Sequence, residues 1–171
     1  DCQSWKKHVI DTIIEERPSL VIVSGGLPNL YRGYYWLPTD IEIVAGYVSI
    51  WQEFQLKSIP ILAIRDNPRP KQDIPSCVAQ NQTNVQLCSM QKSVVLDSNF
   101  DPLIAAAELT NTPLLDLSNY FCKDDICPAV IGNLLVYRDG DHLTASYSKS
   151  LSPYIEPAIL SLLNSKSKQY K

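Results

Sequence analysis

The residues best suited to acid–base chemistry lie together in the last quarter of the sequence. His142 stands three residues after Asp139, with Gly140 and Asp141 between them, and it closely follows a short apolar segment. A carboxylate in this position can fold back in a turn, accept a hydrogen bond from the imidazole Nδ1–H and leave Nε2 free to take a proton from a hydroxyl. The sequence therefore predicts a general base at His142 that Asp139 orients. The pattern is short, and its alternative interpretation is a solvated acidic turn with a capping histidine.

The cysteines form two pairs by their spacing. Cys77 and Cys88 bracket one short polar loop, and Cys122 and Cys127 bracket another. Neither pair is a Cys-x-x-Cys and the chain has only 2 histidines, so a zinc site is poorly supported. The spacing predicts two small-loop disulfides, formed in an oxidising compartment. Cys2 is then left over, which suggests a native polypeptide that begins upstream of residue 1.

Composition and charge exclude several classes of function. The 171 residues are 45% apolar and 19% charged, which is typical of a globular protein. Lysine and arginine number 15 against 18 acidic residues, so neither a nucleic-acid surface nor an anionic-membrane surface is expected. No apolar run approaches the ~20 residues of a membrane span, and the polar start predicts no signal peptide within it.

Helical and strand patterns alternate along the chain. Buried strands are expected over residues 20–24, 59–65, 113–117 and 134–137, and helices over residues 5–17, 40–57, 101–109 and 144–163. The last helix is expected to bend or break near Pro153 and Pro157. Strands that are apolar throughout and separated by helices are typical of a parallel sheet covered on both faces. We therefore expect one α/β domain over residues 1–171, a three-layer α/β/α sandwich with a mostly parallel sheet.

The carboxyl ends of the expected strands place several polar segments together. Ligands of such sheets bind beyond those ends, which are followed by residues 24–29, 65–68, 116–119 and 138–142. We expect these segments to form one candidate site around His142. Two alternatives stay open there. Arg65 and Asp66 either contact substrate or form structural ion pairs, and Asp116 is either a helix cap or a supporting carboxylate.

The segment 136–159, VYRDGDHLTASYSKSLSPYIEPAI, resembles the final block of the SGNH (GDSL-type) hydrolase and acyltransferase superfamily. More narrowly, the chain is similar to the C-terminal extracytoplasmic SGNH domain of bacterial acyltransferase-3 membrane proteins. Looser support comes from Cys2…Trp5, LVIVSGG at 20–26, Arg65-Asp66-Asn67-Pro68 followed by Cys77, and Cys122…Cys127-Pro128. The resemblance implies a flavodoxin-like sheet, no metal or cofactor, and a Ser-His-Asp triad. Asp139 and His142 complete that triad, with Asp141 the less favoured carboxylate.

The chain departs from the family at the nucleophile. The family's serine lies in a Gly-Asp-Ser block after the first strand, and this chain has no such block. Ser4 has neither a preceding strand nor the glycine, and Ser24 lies where the family places oxyanion-hole residues. We expect the first strand and its serine on a missing N-terminal segment or a separate chain, which would also carry the partner of Cys2. The domain over residues 1–171 is then N-terminally incomplete.

The glycine turn after residue 24 is the nearest match to the family's oxyanion hole. Gly25 or Gly26 would supply a backbone N–H, and Asn29 a side-chain amide. Each such donor lowers the barrier by roughly 3 kcal/mol in acyl-transfer enzymes. The spacing does not reproduce the family's Gly-x-Asn-Asp, and an ordinary strand-to-helix turn that needs positive φ is the alternative.

The resemblance implies serine-dependent O-acyl transfer, with acetyl the expected group, to a cell-surface polysaccharide, or hydrolysis from it. The expected partners are an acyl donor, a glycan acceptor and a membrane acyltransferase-3 domain in the same protein, which would tether this domain on the extracytoplasmic side. The alternative is a non-catalytic glycan-binding or accessory module of a membrane acyltransferase. A redox or metal protein built on the cysteines is a third interpretation.

Overall fold

The computed structural model describes residues 2–25, 40–96 and 101–169. Its helices are α1 (Cys2–Glu16), α2 (Asp40–Leu56), α3 (Ile74–Gln80), α4 (Lys92–Val95), α5 (Pro102–Thr110), α6 (Ser118–Phe121), α7 (Ala145–Ser150) and α8 (Ser152–Gln169), and a 3₁₀ turn covers Val85–Cys88. Its strands are β1 (Val21–Gly25), β2 (Ile61–Arg65), β3 (Met90–Gln91), β4 (Leu114–Leu115), β5 (Ile126–Cys127), β6 (Val130–Ile131) and β7 (Leu134–Leu135).

The chain divides into two compact units, each built from separate stretches of sequence. The first, here called the sheet unit, comprises Asp1–Arg65, Asp101–Leu115 and Pro157–Lys171. The second, here called the disulfide unit, comprises Asp66–Phe100 and Asp116–Glu156. The prediction of one N-terminally incomplete domain stays a prediction. Among the helices of the described ranges, none combines the length and the apolar character needed to cross a bilayer.

The sheet unit is built on a three-stranded parallel sheet in the order β1-β2-β4. Val21 lies opposite Ile61 at one end of the β1–β2 pair, and Gly25 lies opposite Arg65 at the other. The carboxyl ends of these two strands therefore reach the same edge of the sheet. This arrangement confirms the predicted α/β class with a parallel sheet.

The core of the sheet unit is formed by apolar residues of α2, β2 and α5, together with one residue that precedes β2. They are Trp51, Phe54, Ile59, Ile61, Ala63, Leu103, Ala106 and Ala107. Helix α5 begins where a carboxylate and a proline favour a helix start. Asp101 Oδ1 accepts the N–H of Leu103 at 3.0 Å, and Pro102 fills the first turn, where its missing N–H has no intrahelical partner to lose.

The disulfide unit is held by short elements and by two cross-links. Cys77 is bonded to Cys88, which joins α3 to the 3₁₀ turn, and Cys122 is bonded to Cys127, which closes the loop after α6. Both predicted pairs are thus present in the structure. Strands β3 and β5 pair antiparallel, and Cys88 and Cys127 are fully buried. Cross-links of this kind stabilise a small unit mainly by restricting its unfolded chain.

The prediction that residues 134–137 form a fourth strand of the parallel sheet is wrong. Strand β7 pairs antiparallel with β6 in a separate hairpin. Gly132 and Asn133 make its two-residue turn with φ of 55° and 63°, because a tight hairpin needs both central residues in the left-handed region. An apolar run indicates burial but does not identify the partner strand, so the run alone could not separate a hairpin from a parallel sheet.

The helix predicted over residues 144–163 is divided in two, as the prolines suggested. Helix α7 ends at Ser150 and α8 begins at Ser152, with Pro153 in its first turn and Pro157 inside it. Pro153 has no N–H with which to continue the hydrogen-bond ladder of α7, so a new helix starts there.

Candidate active site

His142 lies on a short loop, residues 138–142, whose two ends are hydrogen-bonded to each other. The backbone N–H of Arg138 donates to the carbonyl oxygen of His142 at 2.9 Å. Just outside the loop, Tyr137 and Leu143 form an antiparallel bridge. The loop is therefore a closed turn of fixed shape, although several of its side chains are exposed.

Thr144 fixes the chain that leaves this loop. Its N–H donates to the carbonyl of Val136 at 2.9 Å and its hydroxyl donates to the carbonyl of Leu135 at 2.5 Å. The same hydroxyl accepts the N–H of Tyr147 at 3.2 Å and so caps helix α7. A threonine cap contributes about 1 kcal/mol to helix stability. His142 is thus two residues from a capped helix start.

Asp139 contacts both the backbone of the loop and the imidazole ring. Its Oδ1 accepts the backbone N–H of His142 at 2.7 Å and that of Asp141 at 3.1 Å. Both of its carboxylate oxygens lie 3.0 Å from Nδ1 of His142. Gly140 has open space around it and no left-handed φ, so the carboxylate rather than the glycine shapes this turn. The ring contact expected from the spacing is therefore made.

The electrostatics of the loop favour a permanently ionised Asp139. Hydrogen bonds from the backbone N–H groups of His142 and Asp141 hold the pKa of Asp139 well below its ordinary value, and the His142 side chain lowers it further. Arg138 adds a cation, with its Nε 3.4 Å from Asp139 Oδ2. An imidazolium formed on His142 would consequently face a full negative charge.

The ring of His142 is open on its outer side. Its side chain is 62% exposed and that of Asp139 is 44% exposed. All recorded contacts of the ring are made through Nδ1, and Nε2 has no hydrogen-bond partner among the residues that the structure describes. A reactant can therefore approach Nε2 from solvent.

Asp141 is a second carboxylate beside the ring. Its Oδ1 lies 3.0 Å from Nδ1 of His142, and its backbone carbonyl accepts a hydrogen bond from Asn67 Nδ2 at 3.1 Å. Asp139 offers two oxygens to the same nitrogen, so it is the better acceptor. In the described part of the chain, Asp139, Asp141 and His142 also have ligand atoms within 4.8 Å of one another, close enough for a cation. The 3.0 Å nitrogen–oxygen distances are those of hydrogen bonds.

The oxyanion candidates are only partly described. Gly26 and Asn29 lie outside the described residues. Gly25 ends β1, and a Cβ at this position would overlap the hydroxyl of Tyr47 on α2. A larger residue at position 25 therefore requires the far end of the Tyr47 side chain to move. Ser24 lies within β1 opposite Ile64.

Three other candidate positions make structural contacts. Arg65 Nε lies 3.5 Å from Asp101 Oδ2 in the sheet unit, and Asp66 Oδ2 lies 2.9 Å from Arg69 Nη2 in the disulfide unit. These are the ion pairs that the sequence left as an alternative to substrate contact. Asp116 Oδ1 accepts the N–H of Ser118 at 2.8 Å, at the start of α6. The N-cap position of α6 is Leu117 and has no side-chain cap, so Asp116 forms a turn just before this helix and is not its cap.

Comparison with known proteins identifies the family of this chain. A search of curated proteins gave no match. The family described as "SGNH domain (fused to AT3 domains)", AT3 being the acyltransferase-3 type, matches residues 1–157. The chain belongs to this family. The resemblance carried by the segment around Asp139 and His142 is thereby confirmed.

The SGNH domain also shares its fold with a solved structure, titled "Structure of Salmonella ser. Paratyphi A lipopolysaccharide acetyltransferase periplasmic domain". The two align with a TM-score of 0.66 at 15% sequence identity, over 90% of this chain and 61% of that one. The likeness concerns the fold, and this SGNH domain spans about 61% of the length of its neighbour.

Two features of this SGNH domain were not predicted from the sequence. The sequence predicted that segments 65–68 and 138–142 lie together, but not the hydrogen bond between Asn67 and Asp141, which are 74 positions apart. Tyr137, directly before the loop, is 1% exposed, and its hydroxyl has no hydrogen-bond partner among the described residues. Burial raises the pKa of Tyr137, so its phenol stays neutral. Because Tyr137 lies in the apolar run 134–137, its burial could be predicted, but its unpaired hydroxyl could not.

Proposed function

We propose that this SGNH domain carries out serine-dependent O-acyl transfer, with acetyl the expected group, to a cell-surface polysaccharide, or hydrolysis from it. His142 is the general base and Asp139 the residue that orients it. The observation that carries the proposal is the ring geometry: Nδ1 lies 3.0 Å from both oxygens of Asp139. A carboxylate at this distance favours the tautomer with the proton on Nδ1, which leaves Nε2 as a base facing solvent.

Acylation begins at a serine hydroxyl placed within reach of Nε2. His142 takes the hydroxyl proton while Oγ attacks the carbonyl carbon of the acyl donor, and the leaving group of the donor departs with that proton. A sugar hydroxyl, or water, then gives its proton to Nε2 and attacks the acyl-serine carbonyl. The serine leaves and recovers the proton from His142. Transfer and hydrolysis share the acyl-serine: in transfer a sugar hydroxyl attacks it, whereas in hydrolysis the acylated polysaccharide is the donor, its sugar hydroxyl is the first leaving group, and water attacks the acyl-serine.

The serine itself is proposed to lie outside residues 1–171, on a preceding segment or a separate chain. Ser24 is paired within β1, and neither it nor Ser4 stands in a Gly-Asp-Ser block. A cysteine partner for Cys2 is proposed on the same segment. Gly26 and Asn29 are kept as oxyanion donors, with the Gly25 N–H as a third candidate. The proposal needs no metal or cofactor, because base, carboxylate and serine suffice for acyl transfer.

The setting of the reaction follows from the family and from the cross-links. Domains of this family are described as fused to AT3 domains, so an acyltransferase-3 membrane domain in the same protein is the proposed tether. The solved neighbour is the periplasmic domain of a lipopolysaccharide acetyltransferase. Two disulfides fit an oxidising compartment. We therefore place this domain on the extracytoplasmic side, with an acyl donor and a glycan as its substrates.

The decisive experiment compares the two histidines of the chain. His142→Ala and His8→Ala are made in the protein with its natural flanking sequence, and hydrolysis of p-nitrophenyl acetate is measured. His8 is an exposed residue of α1, so it is a matched control. We expect activity to fall to background in His142→Ala and to be retained in His8→Ala. Full activity of His142→Ala would eliminate the assignment.

The second candidate function is a non-catalytic glycan-binding or accessory module of a membrane acyltransferase. It is favoured by the 62% exposure of the His142 side chain, and it predicts that no serine lies within reach of His142 even in the natural protein. A fluorophosphonate probe, which reacts with activated serines, separates the two functions. Labelling of the natural protein that disappears in His142→Ala supports catalysis, and the absence of any labelling supports the accessory role.

A further inference from the structure

Asn67, in the disulfide unit, contacts the loop that carries His142. It lies two residues after β2, and its Nδ2 donates to the carbonyl oxygens of Pro68 and Asp141, each at 3.1 Å. A carboxamide has two N–H donors, and here both have acceptors. Because both partners are carbonyl oxygens, only the NH₂ end of the amide fits this position.

The backbone around Asn67 is held rigidly in place. Pro68 and Pro70 are buried, and their rings fix the backbone φ. The N–H of Arg69 donates to the carbonyl of Val95 at 2.8 Å. This part of the disulfide unit therefore has little freedom of its own.

The loop 138–142 needs such an anchor. The side chains of Arg138 and His142 are 64% and 62% exposed, so they contribute little packing. The hydrogen bonds of Asp139 and Arg138 fix the shape of the loop but not its direction. Asp141 links Asn67 to Asp139 and His142. Its N–H donates to Asp139, its carboxylate faces Nδ1 of His142, and its carbonyl accepts a hydrogen bond from Asn67.

We propose that Asn67 is a positioning residue for His142, acting through the Asp141 carbonyl. With Asn67 in place, the peptide of Asp141 is held so that Asp139 and Nδ1 of His142 keep their contact. Without it, the peptide of Asp141 is released, its N–H no longer holds Asp139 Oδ1, and the contact of Asp139 with Nδ1 loosens. The kinetic consequence of this inference rests on the proposed function, whereas the geometric part does not.

The first test is NMR of the 171-residue chain with ¹⁵N-labelled histidine. The chain has 2 histidines, so His8 is an internal reference. At about pH 8.5, where an ordinary imidazole is neutral, the shifts of Nδ1 and Nε2 report the tautomer. We expect the Nδ1–H tautomer for wild-type His142, and a mixture of tautomers in Asn67→Ala, with unchanged His8 signals.

The matched control is Arg69→Gln, which breaks the ion pair with Asp66 on the same segment and leaves the Asn67 contacts in place. It should not change the His142 signals. If Asn67→Ala keeps the Nδ1–H tautomer, or if Arg69→Gln abolishes it equally, the positioning role is overturned. Should the alanine variant unfold, the isosteric Asn67→Asp decides by the same signals, because its carboxylate repels both carbonyl oxygens.

The second test is kinetic and uses the protein with its natural flanking sequence. For p-nitrophenyl acetate we expect kcat of Asn67→Ala to fall by about tenfold to a hundredfold with KM unchanged, because the base rather than the substrate is displaced. Wild-type kcat in Asn67→Ala contradicts the role. If the wild-type protein itself is inactive, the proposed function fails, while the imidazole signals still decide the role of Asn67.

Discussion

Both units bury apolar side chains, but the disulfide unit is also held by two cross-links and by polar side chains that close its turns. In the sheet unit, Trp51 and its neighbours fill the space between α2, β2 and α5. In the disulfide unit, strands and helices are mostly two to seven residues long, and Asp139, Thr144 and Asn67 each satisfy backbone groups of a turn.

This difference explains why the candidate site, formed by Asp139 and His142, lies in the disulfide unit. A side chain that must meet a substrate has to be exposed, so it cannot be held by burial. Hydrogen bonds from fixed neighbours hold it instead, as second-layer contacts do in other active sites. The comparison predicts that substitutions of the polar side chains around His142 act more on activity than on stability, and that substitutions in the core of the sheet unit act on stability.

The largest expected effect is that of Asp139→Asn on activity. An asparagine cannot hold the Nδ1–H tautomer as the carboxylate does, and such a change lowers kcat by about 10⁴ in a serine triad. We expect a fall of about 10³ to 10⁴ in p-nitrophenyl acetate turnover by the protein with its natural flanking sequence. Asp141→Asn should cost only about tenfold, since Asp139 keeps both of its oxygens at the ring. The reverse order would assign the orienting carboxylate to Asp141.

The second-largest expected effect is a loss of stability in the sheet unit. Trp51 is 1% exposed and its ring lies 5.4 Å from that of Tyr47. Trp51→Ala leaves a cavity and should lower the free energy of unfolding by about 3–5 kcal/mol, as measured by urea denaturation. Leu56→Ala on the same helix is the control, because Leu56 is 84% exposed and should change the free energy by no more than about 0.5 kcal/mol. Equal losses of unfolding free energy in the two variants would contradict the assignment of Trp51 to the core.

A smaller effect is expected from the cross-links. Replacing Cys77 and Cys88 together by serine should lower stability by about 2–3 kcal/mol, and replacing Cys122 and Cys127 by about 2 kcal/mol, because the second pair closes a shorter loop. Hydrogen exchange locates the damage. Amides of β3 and β5 should lose protection while those of β1 and β2 keep it. Uniform loss across both units would show that the units do not unfold separately.

The sheet unit could be predicted from sequence because its signals are local. The apolar runs of β1 and β2 and the capped start of α5 at Asp101-Pro102 each indicate their own structure. The contact of Asp139 with His142 was predictable for the same reason, since the two residues are three positions apart. The disulfides followed from their small spacing.

The remaining features depend on partners that are distant in sequence. Residues 134–137 are apolar in a hairpin as they would be in a parallel strand, so the pairing of β7 with β6 was missed. Gly25 was assigned a possible catalytic role, and only the fold shows that a Cβ there would displace the hydroxyl of Tyr47. The place of Asn67 after β2 predicted that it lies near the loop 138–142, but not which group it would bind, because its acceptor lies 74 positions away.

The smallest expected effect is on the pH dependence of thermal stability. It separates the two functions of Asp139, which are to hold the loop and to orient the imidazole ring. The pKa of Asp139 is depressed in the folded chain, so its contribution to stability is complete above the ordinary aspartate pKa of about 3.9 and is lost as the pH falls below that value.

In thermal unfolding, the Tm of wild-type protein should exceed that of Asp139→Asn by about 1–2 °C at neutral pH, a small amount because the group is exposed. The difference should shrink as the pH falls from about 4 to 2, since the unfolded carboxylate is protonated first. Asp125→Asn, at an exposed aspartate of the same unit, is the control and should show no such convergence. If the Asp139→Asn difference stays constant with pH, the carboxylate holds the loop by shape alone, and its charge acts only on the imidazole.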